Sequence, residues 1–390
     1  MTAEIASSMG WPQATAGDIA VINLESSRER FWHVLRRWPE RPGTAEHIVE
    51  LEQQRAQFLG DVTALDRLAN LSSELCGRIP LSAETHLIAA QIASTLHRFA
   101  DAKAHLAEAE ALGAPRLVSG RIRLTVEQAL GENLAAVLAT RQEIAEATGT
   151  LGDLVPLGAL LADLGEFEDA DRTYVRAIRQ YRDASPFALA WACFQLGVLW
   201  GETAPRPDPN RAAHWYRQAV EYLPVYTHAR VHLAEIHLNA GEFGVAEALL
   251  LPIVASGDPE MGWRLAQVLV AQGRAGEAAL QRDAARLAFE TLITRHELAF
   301  ADHAAEFYLS SGADPERASD LARINLANRP TLRAFELAHA AALASGDAGL
   351  ASELFVRAQA QWGHTKVFTS SSLAGLSFSA SAVDNTEDEP

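Results

Sequence analysis

Residues 154 to 177 read LVPLGALLADLGEFEDADRTYVRA, and their spacing leaves few folds open. Leu154, Leu157, Gly158 and Leu161 recur at the three- and four-residue intervals of a helix, not at the two-residue interval of a strand. The pattern breaks at Gly165 and resumes with Phe167, Ala170, Tyr174 and Ala177. Two antiparallel helices joined by a short turn satisfy this arrangement. Ala170 and Ala177 are small enough to let the two axes approach, and Tyr174 fills the space beside them.

The signature returns in register. Leu196, Gly197, Trp200, Ala212, Tyr216, Ala219 and Pro224 form the next copy, with a Pro-rich insert over residues 204–210 lengthening its turn. Leu233, Ala234, His237, Gly241, Phe243, Ala246, Leu250 and Ile253 follow, then Leu265, Ala266, Leu269, Gly273, Ala278 and Ala285. Weaker copies centre on Ala102, Leu106 and Ala109, on Gly131 and Ala136, on Ala318, Ala322 and Pro330, and on Gly346, Ala351, Phe355 and Ala358; a degenerate first copy covers 45–75. One match would mean little, because Gly and Ala are common. Several in register, with Gly165, Gly241, Gly273 and Gly346 all at the turn, constrain the chain strongly.

This pattern resembles the tetratricopeptide repeat, whose period is about 34 residues. The resemblance implies an all-α fold: a right-handed superhelical α-solenoid of about nine helical hairpins over residues 45–361, each burying its apolar stripe against its neighbours. It also explains how 390 residues can form something other than two or three globular domains. Two departures are expected. Residues 284–295 are surplus between copies, so the preceding helix should be elongated and bend the array, and Glu127 stands where a large apolar residue is usual.

The ends read differently. Residues 1–25 are expected to be a disordered arm, and 26–44 a capping helix with Phe31, Val34, Leu35 and Trp38 on one face and Pro39 stopping it. A docking or membrane-surface role for that helix is the sharper alternative. Residues 362–390, Ser-rich and then acidic at Asp384, Glu387, Asp388 and Glu389, are expected to stay disordered. The net charge of −17 argues against a sequence-independent grip on nucleic acid, which needs clustered cations. No run of eighteen apolar residues exists to span a membrane, and no secretory signal is evident. Cys76 and Cys193 match no metal or redox pair, which suits a reducing cytoplasm.

Residues 228–250, HARVHLAEIHLNAGEFGVAEALL, raise the question of a metal site. His228, His232 and Glu235 stand at i, i+4 and i+7 and share one helix face. Zinc takes three or four ligands, and there is neither an HExxH motif nor a supporting cysteine, so metal or small-ligand binding is the minor reading and no cofactor is expected. The family resemblance instead places His228, His232, Glu235 and Asn239 on a concave groove for a partner peptide or helix. It adds Trp191, Phe194 and Gln195 on one side, Trp263, Arg264 and Gln267 on the other, and His303 and Phe307 further along. Aromatics and arginine are the residue types of binding hot spots. His237 falls on the packing side. The carboxylate-clamp subtype of the family is doubtful here, since no lysine stands at the matching positions.

Catalytic motifs are lacking: no GK dipeptide for a phosphate-binding loop, no G-x-S-x-G elbow and no dinucleotide fingerprint. The expectation is therefore a non-enzymatic cytoplasmic scaffold or adaptor whose partner is another protein. The alternatives are a ligand-responsive regulator or a structural subunit of a larger assembly.

Overall fold

The computed structural model describes residues 12–78 and 81–376. Among them are eighteen α-helices and no strand: α1 (Gly17–Arg37), α2 (Thr44–Leu59), α3 (Thr63–Cys76), α4 (Ala83–Thr95), α5 (Phe99–Ala111), α6 (Arg116–Leu130), α7 (Leu134–Thr148), α8 (Leu151–Asp163), α9 (Phe167–Gln180), α10 (Pro186–Val198), α11 (Pro209–Tyr222), α12 (Thr227–Asn239), α13 (Phe243–Leu250), α14 (Pro259–Ala271), α15 (Ala275–Leu309), α16 (Pro315–Asn328), α17 (Leu332–Ala344) and α18 (Ala348–Trp362). Helical hairpins are formed by α4 with α5, α8 with α9, α10 with α11, α12 with α13 and α17 with α18, and α15 serves two, pairing with α14 before it and α16 after it.

The period read from the sequence is the packing rule of these hairpins. Tyr174 is 1% exposed and its ring lies on Gly158, where a Cβ would come within 2.6 Å of Cε1. Tyr216 does the same on Gly197, at 2.3 Å. Ala170, Ala177, Ala212 and Ala219 are fully buried between the paired axes. Gly165, Gly241, Gly273 and Gly346 all turn with φ between 77° and 83°, a conformation that costs glycine little and other residues more.

The surplus residues before 296 extend the first arm of α15, which starts at Ala275. It breaks at His296, whose φ of −139° and ψ of 52° are not helical. Asp66 of α3 holds the break, accepting from Arg295 Nη1 and bonding His296 Nε2, both at 2.9 Å. The two arms of α15 thereby become the second helix of one hairpin and the first helix of the next.

The helices group into two compact units that interleave along the chain. The first takes the described residues up to Ala64, then Leu138–Ala162 and Phe167–Ser256; the second takes Leu65–Val137, Asp163–Glu166 and the described residues from Gly257. Within each, elements distant in sequence pack together, which nearest-neighbour stacking alone does not provide. In the first unit Phe58 of α2 sits 5.2 Å from the Phe187 ring and 4.8 Å from that of Tyr226. In the second, His97 Nδ1 lies 3.2 Å from the Leu298 carbonyl and Asn328 Nδ2 donates to the His97 carbonyl at 2.9 Å.

Both ends depart from the expected boundaries. Helix α1 begins at Gly17, not at 26, because long-range contacts hold its start: Thr15 N donates to the Ala184 carbonyl at 2.8 Å, and Gly17 abuts Pro224 with no room for a side chain. Ala20 and Leu24 are buried on its inner face. The helix therefore does more than cover the first hairpin. At the other end, residues 363–376 are packed into the second unit, with Phe368 and Leu373 buried and Lys366 Nζ donating to Glu166 at 2.6 Å. The acidic stretch expected as a tail, together with residues 1–11, lies outside the described residues.

Candidate functional site

In the first unit, Pro186 and Pro209 open α10 and α11 at positions where a missing N–H costs nothing. Asp208 caps α11 by accepting from Arg211 N at 3.0 Å. Between these helices the backbone widens into one π turn, Leu199–Thr203, closed by Ala204 N donating to the Leu199 carbonyl. Such turns concentrate at functional sites because they redirect side chains out of helical register. This one sends Trp200 and Glu202 to different partners. Trp200 Nε1 donates to Asp171 at 2.8 Å, under the guanidinium of Arg211, 3.7 Å from the ring centre.

Glu202 reaches the neighbouring helices. Its Oε1 accepts from Tyr216 Oη at 3.0 Å and lies 2.7 Å from His232 Nδ1; Glu235 Oε2 stands 3.5 Å from the same nitrogen. With carboxylates on that side only able to accept, His232 Nδ1 carries the proton. Burial, and next Glu202, push the Tyr216 phenol well above its ordinary range, so it stays a donor. The His232 ring stacks on Tyr216 at 5.4 Å and 23°. Phe194 of α10 is the hub, its ring centre 5.3 Å from His232, 6.5 Å from His228 and 5.2 Å from Tyr226.

Of the residues expected on a groove, Phe194, His228, His232 and Glu235 lie together, Trp191 and Gln195 are half-buried on α10, and Asn239 is exposed at the end of α12. Glu202 joins them, and the buried rings of Tyr216 and Tyr226 lie beneath; none of the three was expected there. The one signal available was the Pro-rich insert, which marked a turn out of register. His237, expected in the core, is half-buried and bonds Glu242 at 2.5 Å instead. Among the described residues no group of three or more His, Cys, Asp or Glu is placed to hold a metal ion. Cys193 is buried and its thiol is pushed far up by that burial, which makes it a packing residue rather than a nucleophile.

The remaining predicted residues belong to the second unit, and two must be reassigned. Trp263 (2% exposed) and Phe307 (0%) are core, not wall. They meet edge to face at 5.8 Å, with Phe289 of α15 within 6.4 Å of both, and Trp263 Nε1 donates to Ser311 Oγ at 3.1 Å. Arg264 lies over the Trp263 ring at 3.7 Å and donates to the buried Glu260 at 3.1 Å. Gln267 and His303 are half-buried.

His303 joins a charge network. Burial alone would raise Asp302, but His303, Arg329 and His97 hold it down at about 2. Asp302 in turn raises His303. Burial, then Arg329, lowers His97 to about 4. A histidine depressed in the fold contributes stability that is full above its unfolded value near 6.5 and is lost as pH falls toward 4. His97 has a left-handed φ of 54°, which asparagine tolerates. His97→Asn should therefore keep the turn and flatten the fall in urea midpoint between pH 6.5 and 4.5; a fall as steep as the wild type's would show that another group carries it.

No family model matches the chain, and no curated protein matches it. Several solved structures are similar. The Cut9 and Hcn1 hetero-tetramer of the APC/C shares 15% identity at a TM-score of 0.44 over 89% of this chain, which spans 66% of that one. Yeast Tom70 shares 13% at 0.35, covering 96% of each chain. The human IFIT1 dimer with PPP-AAAA shares 14% at 0.33, covering 86% of this chain and 68% of that one. These are distant likenesses.

Proposed function

We propose that this chain is a non-enzymatic cytoplasmic scaffold or adaptor, and that the face formed by α10, the π turn and α12 takes a peptide or helix of another protein. The observation that carries the reading is the convergence on Phe194 of His228, His232, Tyr216 and Tyr226, with Glu202 and Glu235 on the same histidine nitrogen. Tyr216 and Tyr226 are a buried floor, and the half-buried Trp191, Phe194, His228 and His232 above them supply the aromatic surface, which beside fixed polar groups is the composition of an interface centre. The π turn supports it, because single π turns within helices are found mostly at functional sites. The metal-responsive alternative has less support, since no group of three or more His, Cys, Asp or Glu among the described residues is placed to hold an ion.

The test is partner recovery with a His228→Ala, Glu235→Ala double variant, both positions being half-buried and outside the apolar core. Loss of hot-spot contacts predicts at least a tenfold fall in affinity for any partner recovered by the wild type. Equal recovery by a variant with unchanged melting would remove this face as the contact surface.

A further inference from the structure

Helix α1 turns its buried side, Ala20, Leu24 and Leu35, toward its own unit. Its outer side presents two different halves. Ile19 and Ile22, 50% and 63% exposed, occupy the first turns. Arg30, Arg36 and Arg37 occupy the last two, followed by half-exposed Trp38 and exposed Arg41. Arg37, Trp38, Pro39, Glu40 and Arg41 line a shallow concavity of about 590 Å³.

None of these four arginines pairs with a carboxylate among the described residues; Arg30 and Arg37 touch only the rings of Phe31 and Trp38. Elsewhere on α1 and on its neighbour α2 the cations are used: Arg28 bonds Glu52, and Arg55 bonds Asp61 and Glu25. Two arginines in a last turn are often no more than complements of the helix dipole. That account covers Arg36 and Arg37 and leaves Arg30, two turns earlier, and Arg41, beyond the helix, unexplained. A chain of net charge −17 that keeps four unpaired cations within twelve residues, around an exposed indole, has a local surface opposite in sign to the whole.

We propose that the outer face of α1 and the turn after it form a second docking surface, and that its occupant is a short acidic protein segment carrying apolar residues. Carboxylates pair with Arg30, Arg36, Arg37 and Arg41, bidentately where geometry allows, and the apolar residues lie on Ile22 and Trp38. An anionic bilayer fits less well. Phe31, Trp32 and Leu35 are turned inward or half-covered, which leaves Ile19, Ile22 and Trp38, spread over the length of the helix, to enter it, and the chain's net charge opposes approach to an extended negative surface.

The experiment uses the full chain and a panel of labelled fifteen-residue peptides with matched Glu, Gln and Lys forms, read by fluorescence anisotropy. Oligo(U) of fifteen nucleotides and vesicles containing one-fifth phosphatidylserine are run beside them. The Glu forms should bind best, weaken as salt is raised, and lose at least tenfold in an Arg30→Gln, Arg36→Gln, Arg37→Gln variant. Trp38→Ser should weaken them separately. A control triple at Arg116, Arg179 and Arg217, exposed elsewhere, should bind as the wild type does. No preference for Glu over Gln forms, equal loss in the control triple, or binding of oligo(U) or vesicles in place of the peptides would overturn the proposal. None of these outcomes bears on the α10–α12 face.

Discussion

Trp263→Ala should cost about 3–5 kcal/mol of stability, the range for truncating a large aromatic in a packed core. The ring is 2% exposed and fills the space between Phe289 and Phe307, so its loss leaves a void that two aromatics cannot close without moving α15 against α14. Arg264 loses the surface it lies on, and Ser311 loses its indole donor. For a unit of this size, each kcal/mol lowers the melting temperature by about 2–4 °C, so a fall on the order of 10 °C is expected by circular dichroism. A melt within about 2 °C of the wild type would mean that the indole is not buried. The result also has a practical side. Judged from sequence, Trp263 was an attractive position for testing partner binding, but its alanine variant would lose partners by loosening the fold.

The second large effect is expected at Glu52, which is fully buried on α2. Its Oε1 accepts from Arg28 Nε at 2.9 Å and from Trp32 Nε1 at 2.7 Å, fastening α1 to α2. Replacing it by alanine strands both donors. Breaking a buried charged pair from one side costs about 3–5 kcal/mol, and the partial exposure of Arg28 places this case at the lower end. Glu52→Gln keeps an acceptor and should cost about half as much. A Glu52→Leu, Arg28→Leu double variant should recover much of the loss, because two desolvated charges are removed together. Hydrogen exchange over α1 is the readout. Protection of α1 unchanged in Glu52→Ala would show that its apolar face alone fixes the helix.

The hairpins were legible because their determinants are local. A glycine under a tyrosine, alanines between axes and a left-handed turn residue all lie within one period, and Gly158 with Tyr174 states the rule in seventeen positions. The cluster around Phe194 was partly legible for the same reason, since His228, His232 and Glu235 need only helical spacing to share a face. Glu202 was not, because a π turn within an insert sets its direction. Trp263 and Phe307 were misjudged because a single residue of helical register separates a wall position from a packing position, and the elongated α15, with Phe289, decides between them. The start of α1 and the packing of Phe368 and Leu373 depend on residues far away in the chain, which no local pattern encodes.

Those distant attachments impose an order on the birth of the molecule. Asp66 meets His296 across 230 residues, His97 meets Asn328 across 231, and Tyr222 meets Pro12 across 210. At a ribosomal pace of roughly 5–20 residues per second, each early partner waits about 10–50 s for its mate to be synthesised. During that interval the emerging hairpins expose the surfaces they will later cover, so the nascent chain is a natural client for a holding chaperone, and truncation near residue 290 should yield an aggregation-prone fragment rather than a shorter array.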